Sequence, residues 1–95
     1  MNEKRLTDVL IEILRERARQ DSIWGEQNHS PLEWLAILGE ERGEVDRAVC
    51  EAHFPNYPSC GDWSKYRQEL IQEAAVCAAM IECLDRAKES DHGKR

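Results

Sequence analysis

Residues 30–48 read SPLEWLAILGEERGEVDRA, and this stretch decides the fold. Ser30, Pro31 and Glu33 form a helix start. A serine hydroxyl can accept from the orphan amide three residues on, a glutamate there can reach back, and proline suits the first helical turn. Beyond it Leu38, Val45 and Ala48 fall on one stripe at three- and four-residue steps, with Trp34 and Leu35 one turn earlier. This is an amphipathic helix, predicted over residues 31–52.

On the N-terminal side, Leu6, Val9, Leu10, Ile13, Leu14 and Ala18 repeat the same period. They predict a helix over residues 3–20, with its Glu and Arg side chains on the outer face. Residues 21–30 are polar and read as a loop anchored by Trp24. On the C-terminal side, Pro55, Pro58 and Gly61 must break the second helix. Asp62 or Ser64 can cap a third, over residues 64–88, with Tyr66, Leu70, Ala74, Cys77, Ile81 and Leu84 as its inner stripe. Residues 89–95 form a polar tail expected to fray. Alternation of period two is absent, so the fold class is all-α. Residues 74–81 are apolar on every side of the third helix, and such a helix must be buried on every side. Two further helices cannot surround it, so the bundle is expected to be completed by homo-oligomerisation, as a dimer or tetramer.

The 95 residues suit one domain, 1–95, with a modest core. Thirteen Lys+Arg against nineteen Asp+Glu leave a net charge of −6, which argues against nucleic acid and against an anionic membrane surface as partners. With 34% charged residues and a mean hydropathy of −0.70 the chain reads as soluble. No apolar targeting segment follows the charged N-terminus, and no apolar run approaches the roughly 20 residues of a membrane span, so a cytoplasmic location is expected. Cys50, Cys60, Cys77 and Cys83 include no Cys-x-x-Cys pair. Cys77 and Cys83 read as small core hydrophobes, and the spacing of Cys50, His53, Cys60 and His29 matches no usual zinc pattern.

The carboxylates are the unusual feature. Glu41 lies on the inner stripe between Leu38 and Val45, and Glu44 is its neighbour three residues on. Glu40 precedes them, so three carboxylates share about a third of the helix surface. Glutamate clusters on helices are commonly solvated faces, but a carboxylate on an inner stripe calls for a partner. The third helix carries a matching set, Glu69 and Gln72 with Glu73, ahead of Val76 and Met80 on a face adjoining the main stripe. Antiparallel packing would oppose Glu41 and Glu44 to Glu69 and Gln72. Such an oxygen-only set suits Mg²⁺ or Mn²⁺.

Residues 38–45 (LGEERGEV), 69–76 (ELIQEAAV) and 80–82 (MIE), together with Trp24-Gly25-Glu26-Gln27-Asn28-His29 and residues 34–38, resemble the MazG-like branch of the all-α NTP pyrophosphatase superfamily. The likeness is to its small single-domain, phage-type members and covers roughly residues 16–86. The acidic motif alone is weakly specific; the combination is fairly specific. The resemblance implies Mg²⁺-dependent hydrolysis of a nucleoside triphosphate, or its deoxy form, between the α and β phosphates, in a nucleotide-pool housecleaning role. It makes Glu41, Glu44 and Glu69 metal ligands, with Glu40 or Glu44 as base. The family pattern is Glu-Glu-x-x-Glu followed by Glu-x-x-Asp, and here Gln72 stands where Asp is usual. An amide oxygen can still coordinate but supplies one charge less, which shifts a charge role toward Glu73 and opens the alternative of a catalytically weak or inactive module that binds nucleotide or a protein partner. Lys65, Arg67 and Arg86 are the candidate cations for the triphosphate. Trp24, Trp34 or Trp63 could stack on the base, and Gln20, Gln27 or Asn28 could read its edge. A di-iron carboxylate bundle would also gather Glu in a helical core, but the Glu-x-x-His it uses on two core helices is missing from the three helical segments: that spacing occurs at Glu26–His29 in the loop and Glu89–His92 in the polar tail.

Overall fold

The computed structural model describes the backbone of residues 1–93 and the side chains of residues 1–90. Its elements are α1 (Glu3–Trp24), α2 (Pro31–His53) and α3 (Ser64–Gly93), with no strand among the described residues. The expected all-α class is what forms.

Each helix boundary has a local cause. Asn2 caps α1 through its side chain, which accepts from the Arg5 amide. The helix runs four residues past its expected end, carrying Trp24 with it, and stops at Gly25. There φ is +71°, a backbone that residues with a Cβ seldom adopt. The capping box of α2 is complete: Ser30 Oγ accepts from the Glu33 amide at 3.2 Å, and Glu33 accepts from the Ser30 amide at 2.9 Å. Asp62 Oδ1 accepts from the amide and hydroxyl of Ser64 where α3 begins. Residues 89–93, expected to fray, continue α3 as helix; residues 94–95 of the expected tail lie outside the described residues.

α3 is the central strut. α2 packs on it antiparallel, with Trp34 near Cys83 at one end and Glu44 near Glu69 at the other. α1 runs parallel to it, tied by Arg67 to Glu12 and by Arg17 to Glu82 at 2.8 Å. No Cα of α1 lies within 8 Å of one of α2, so a cleft opens between them above α3. The core is small. Trp34, Val76 and Cys83 form its centre, with Ile37, Leu38, Ala79 and Met80 against them. Ala48, Ala52 and Ala75 are buried where small side chains let α2 and α3 approach closely.

The inner face of α3 differs from the expected one. Leu70, Cys77, Ile81 and Leu84 are exposed, and the buried positions are Glu69, Ala75, Val76 and Cys83. The reason is that residues 74–81 are apolar all round, so periodicity cannot select a face and the neighbouring helices do. The adjoining face of Glu69, Gln72, Val76 and Met80 is the one they choose. α1 buries no residue fully, and Leu6, Leu10 and Leu14 of its stripe are exposed. No helix among the described residues is long and apolar enough to cross a membrane.

The α2 cap has a measurable pH signature. The amide of Ser30 holds the Glu33 carboxyl below its ordinary pKa. A depressed carboxylate contributes stability that is full above its unfolded pKa and lost as pH falls through the folded one. The Tm of Glu33→Ala should therefore lie below that of wild type at pH 7, with the gap closing as pH is lowered through the carboxylate range. A constant gap would show that the carboxylate does not act through the cap.

Candidate functional site

Glu41 and Glu44 project from successive turns of α2 toward α3, where Glu69 faces them. One carboxylate oxygen from each residue lies within 4.8 Å of the others. The environments differ. Glu44 is exposed, Glu41 is half-buried, and Glu69 is only 3% exposed, the sole charged residue among the buried ones that the structure describes. Lys65, one turn before Glu69, donates to its Oε1 at 2.8 Å. The second oxygen of Glu69 and one oxygen of Glu41 are buried with no hydrogen-bond partner among the described residues.

This arrangement is electrostatically unfavourable as it stands. Two like charges roughly 5 Å apart repel by about 3 kcal/mol at an effective dielectric near 20. Burial pushes the Glu41 carboxyl above its usual pKa, and the charges of Glu44 and Glu69 add to the effect. Contact with the Glu69 carboxylate raises Glu44 likewise. The unpartnered buried oxygens and the all-oxygen donor set fit a hard divalent cation, which would supply the missing partner.

Two recesses flank the cluster. On one side a pocket of about 320 Å³ is lined by Glu44, Arg47, Ala48, Glu51, Lys65 and Glu69. On the other lies the cleft between α1 and α2, of about 490 Å³, with Glu41, Glu44 and Gln72 at its acidic end. Ile23, Trp24 and Gln27 line the same cleft, with Ile37 and Val76 on its apolar side. Trp24 is largely exposed to it.

The structure thus gathers Glu41, Glu44, Glu69, Gln72, Trp24 and Gln27 around two spaces that share Glu44. Glu40 is exposed and outside the three-carboxylate cluster, and Glu73 is half-buried, its charge felt by Glu41 and Arg42. Arg67 points to α1, where its guanidinium forks onto Glu12. Arg86 fastens the α1–α2 loop, donating to Asn28 Oδ1 and the Gln27 carbonyl and pairing with Glu26 at 2.7 Å. Trp34 is core, with the His29 ring edge-on at 4.7 Å. Trp63 lies on the surface beside Tyr66.

Sequence reasoning missed Glu16 and Arg19, which line the cleft from α1 although that face reads as solvent-exposed. A signal was present: Glu16, Gln20, Trp24 and Gln27 follow one another at steps of four, four and three, a polar stripe beside the apolar one. Compared with family models, curated proteins and solved structures, the chain shows no significant match.

The buried repulsion makes a prediction. Glu41→Gln should raise the Tm of metal-free protein at pH 7, because it removes a charge that nothing in the apo site offsets. It should also abolish the stabilisation that Mg²⁺ or Mn²⁺ gives wild type, about 2.7 kcal/mol at roughly 100 times Kd. A thermal melt with and without cation checks both; unfolding of the variant would make Glu41 a structural partner instead.

Proposed function

We propose that the chain is a Mg²⁺-dependent nucleoside triphosphate pyrophosphohydrolase of the MazG-like kind. It would cleave an NTP or dNTP between the α and β phosphates and serve nucleotide-pool housecleaning. The observation that carries this reading is the meeting of three carboxylates from two helices, two of them with buried unpartnered oxygens, at the end of a cleft large enough for a small molecule. The resemblance of residues 38–45 and 69–76 to that family supplies the reaction.

In this reading Glu41, Glu44 and Glu69 hold the cation, Mg²⁺ or alternatively Mn²⁺, with the Gln72 amide oxygen as a neutral donor. The bound ion supplies positive charge against the phosphate oxygens and makes water more acidic. Glu40, exposed beside Glu41, or else Glu44, accepts the proton of the attacking water. The water oxygen bonds to the α phosphorus, the bond from that phosphorus to the bridging oxygen breaks, and pyrophosphate leaves with the bridging oxygen. Trp24 and Gln27, which line the cleft, would receive the base. Of the sequence-derived cations, Lys65 stands nearer the cluster than Arg67, which Glu12 engages, and Glu73 adds negative charge behind Glu41.

The exposed apolar side chains of α1 and α3 support a homo-oligomer, since a single copy leaves Leu10, Leu14, Ile81 and Leu84 about half in water or more. Light scattering should then give a multiple of 11.0 kDa; a species of 11 kDa at micromolar concentration would overturn it.

A second reading has its own support. Gln72 lowers the charge of the ligand set, and Lys65 already provides Glu69 with a cation. Both favour a module that binds nucleotide or a protein without turnover. Pyrophosphate release from a panel of canonical and modified NTPs and dNTPs separates the two. Hydrolysis should require Mg²⁺ or Mn²⁺, vanish in Glu41→Gln, and increase in Gln72→Asp. Folded protein that releases no pyrophosphate across the panel would overturn the hydrolase and favour the binding module.

A further inference from the structure

The cleft between α1 and α2 contains one cation among its described lining residues, Arg19. Its acidic end carries Glu41 and Glu44, and Glu16 adds a third carboxylate from α1. Arg19 is more than half exposed, yet it is held in a defined position. Its Nε donates to Glu16 Oε1 at 2.8 Å and a terminal nitrogen donates to Oε2 at 2.7 Å, so the guanidinium fork is filled by one carboxylate. Glu16 itself is 11% exposed on its side chain and is further braced by Gln20 at 3.1 Å. A planar fork occupied by two carboxylate oxygens presents the geometry that matches two phosphate oxygens. The position suits that exchange. Arg19 lines the cleft from α1, and Glu41, Glu44 and Gln72 line it from α2 and α3, with Trp24 five residues further along α1.

We propose that Arg19 grips the polyphosphate chain of the substrate from the α1 wall, and that Glu16 is a positioning residue that holds the guanidinium in the cleft until phosphate oxygens replace its own. This deepens the pyrophosphohydrolase reading and rests on it for the identity of the ligand. The cation at the carboxylates and the guanidinium opposite would then hold the phosphates from two sides. Glu16 sets a threshold: a ligand with one charge competes poorly with the resident carboxylate, whereas a pyrophosphate group offers several oxygens and several charges.

The test uses imidodiphosphate, a pyrophosphate analogue whose P–N–P bridge resists hydrolysis and which has no base to stack. It is titrated calorimetrically into the protein with Mg²⁺. Arg19→Gln should weaken binding about tenfold or more, as expected for loss of charge-assisted hydrogen bonds, and Arg19→Lys should fall between it and wild type. Glu16→Gln, which leaves Arg19 in place, should tighten binding, and the tightening should disappear in the Arg19→Gln background. With a hydrolysed nucleotide, Arg19→Gln should raise KM more than it lowers kcat. Equal affinity of wild type and Arg19→Gln overturns the proposal, whether or not the chain hydrolyses nucleotides. Absence of imidodiphosphate binding by folded wild type overturns it too, while pyrophosphate release decides the hydrolase reading separately. Binding that depends on Arg19 without any turnover upholds the grip and discards the hydrolase.

Discussion

The burial of Glu69 against two other carboxylates is the constraint around which the rest of the molecule is arranged. A carboxylate with only 3% of its surface exposed needs compensation, and the fold provides half of it: Lys65 satisfies one oxygen and the other has no protein partner. A hydrophobic residue in the same place would give a better-packed contact between α2 and α3 at no electrostatic penalty. The chain instead retains a repelling triad at the point where its two most closely packed helices meet. Apolar packing does not account for that choice, whereas the proposed cation, joining the three carboxylates, would.

The packing around α3 explains why the triad borders open space. α2 lies close on α3 because Ala48, Ala52 and Ala75 leave little between them. α1 is held differently, by long side chains such as Arg17 and Arg67 reaching across to Glu82 and Glu12. Those links space α1 away from α2 and keep the cleft open. The same arrangement leaves the bundle thin. At 58 × 32 × 25 Å it is elongated, and much of its apolar surface faces outward. A site placed between loosely joined helices and a surplus of exposed leucine belong together: both follow from three helices sharing one central strut.

Much of this was legible in the sequence, and the limits have physical causes. The start of α2 was readable to the residue because a capping box and a proline act locally and leave no alternative. The meeting of Glu41 and Glu44 with Glu69 was readable because a carboxylate on an inner stripe needs a partner and antiparallel packing supplies one. The inner face of α3 was not readable. With residues 74–81 apolar in every direction, its orientation depends on which helices approach it, and the exposed Leu70, Cys77, Ile81 and Leu84 are the result. Trp24 fell beyond the predicted end of α1 because Asp21 and Ser22 read as loop residues, while Gly25 is what stops the helix.

Glu16 and Arg19 were missed for a more general reason. An ion pair three residues apart on a helix is ordinary surface chemistry, worth little in water, and the one hint that this pair meets a cleft is the continuation of Glu16 into Gln20, Trp24 and Gln27 at steps of four, four and three. What distinguishes this pair is the wall opposite. Glu41, Glu44 and Gln72 line the same cleft from two other helices, and Arg19 is the one cation among its described lining residues. An acidic cleft that held no cation of its own would repel the polyanion proposed to bind there. In the proposed reading, one arginine, secured by a carboxylate that phosphate would replace, would let the cleft bring a strongly negative ligand toward the three carboxylates.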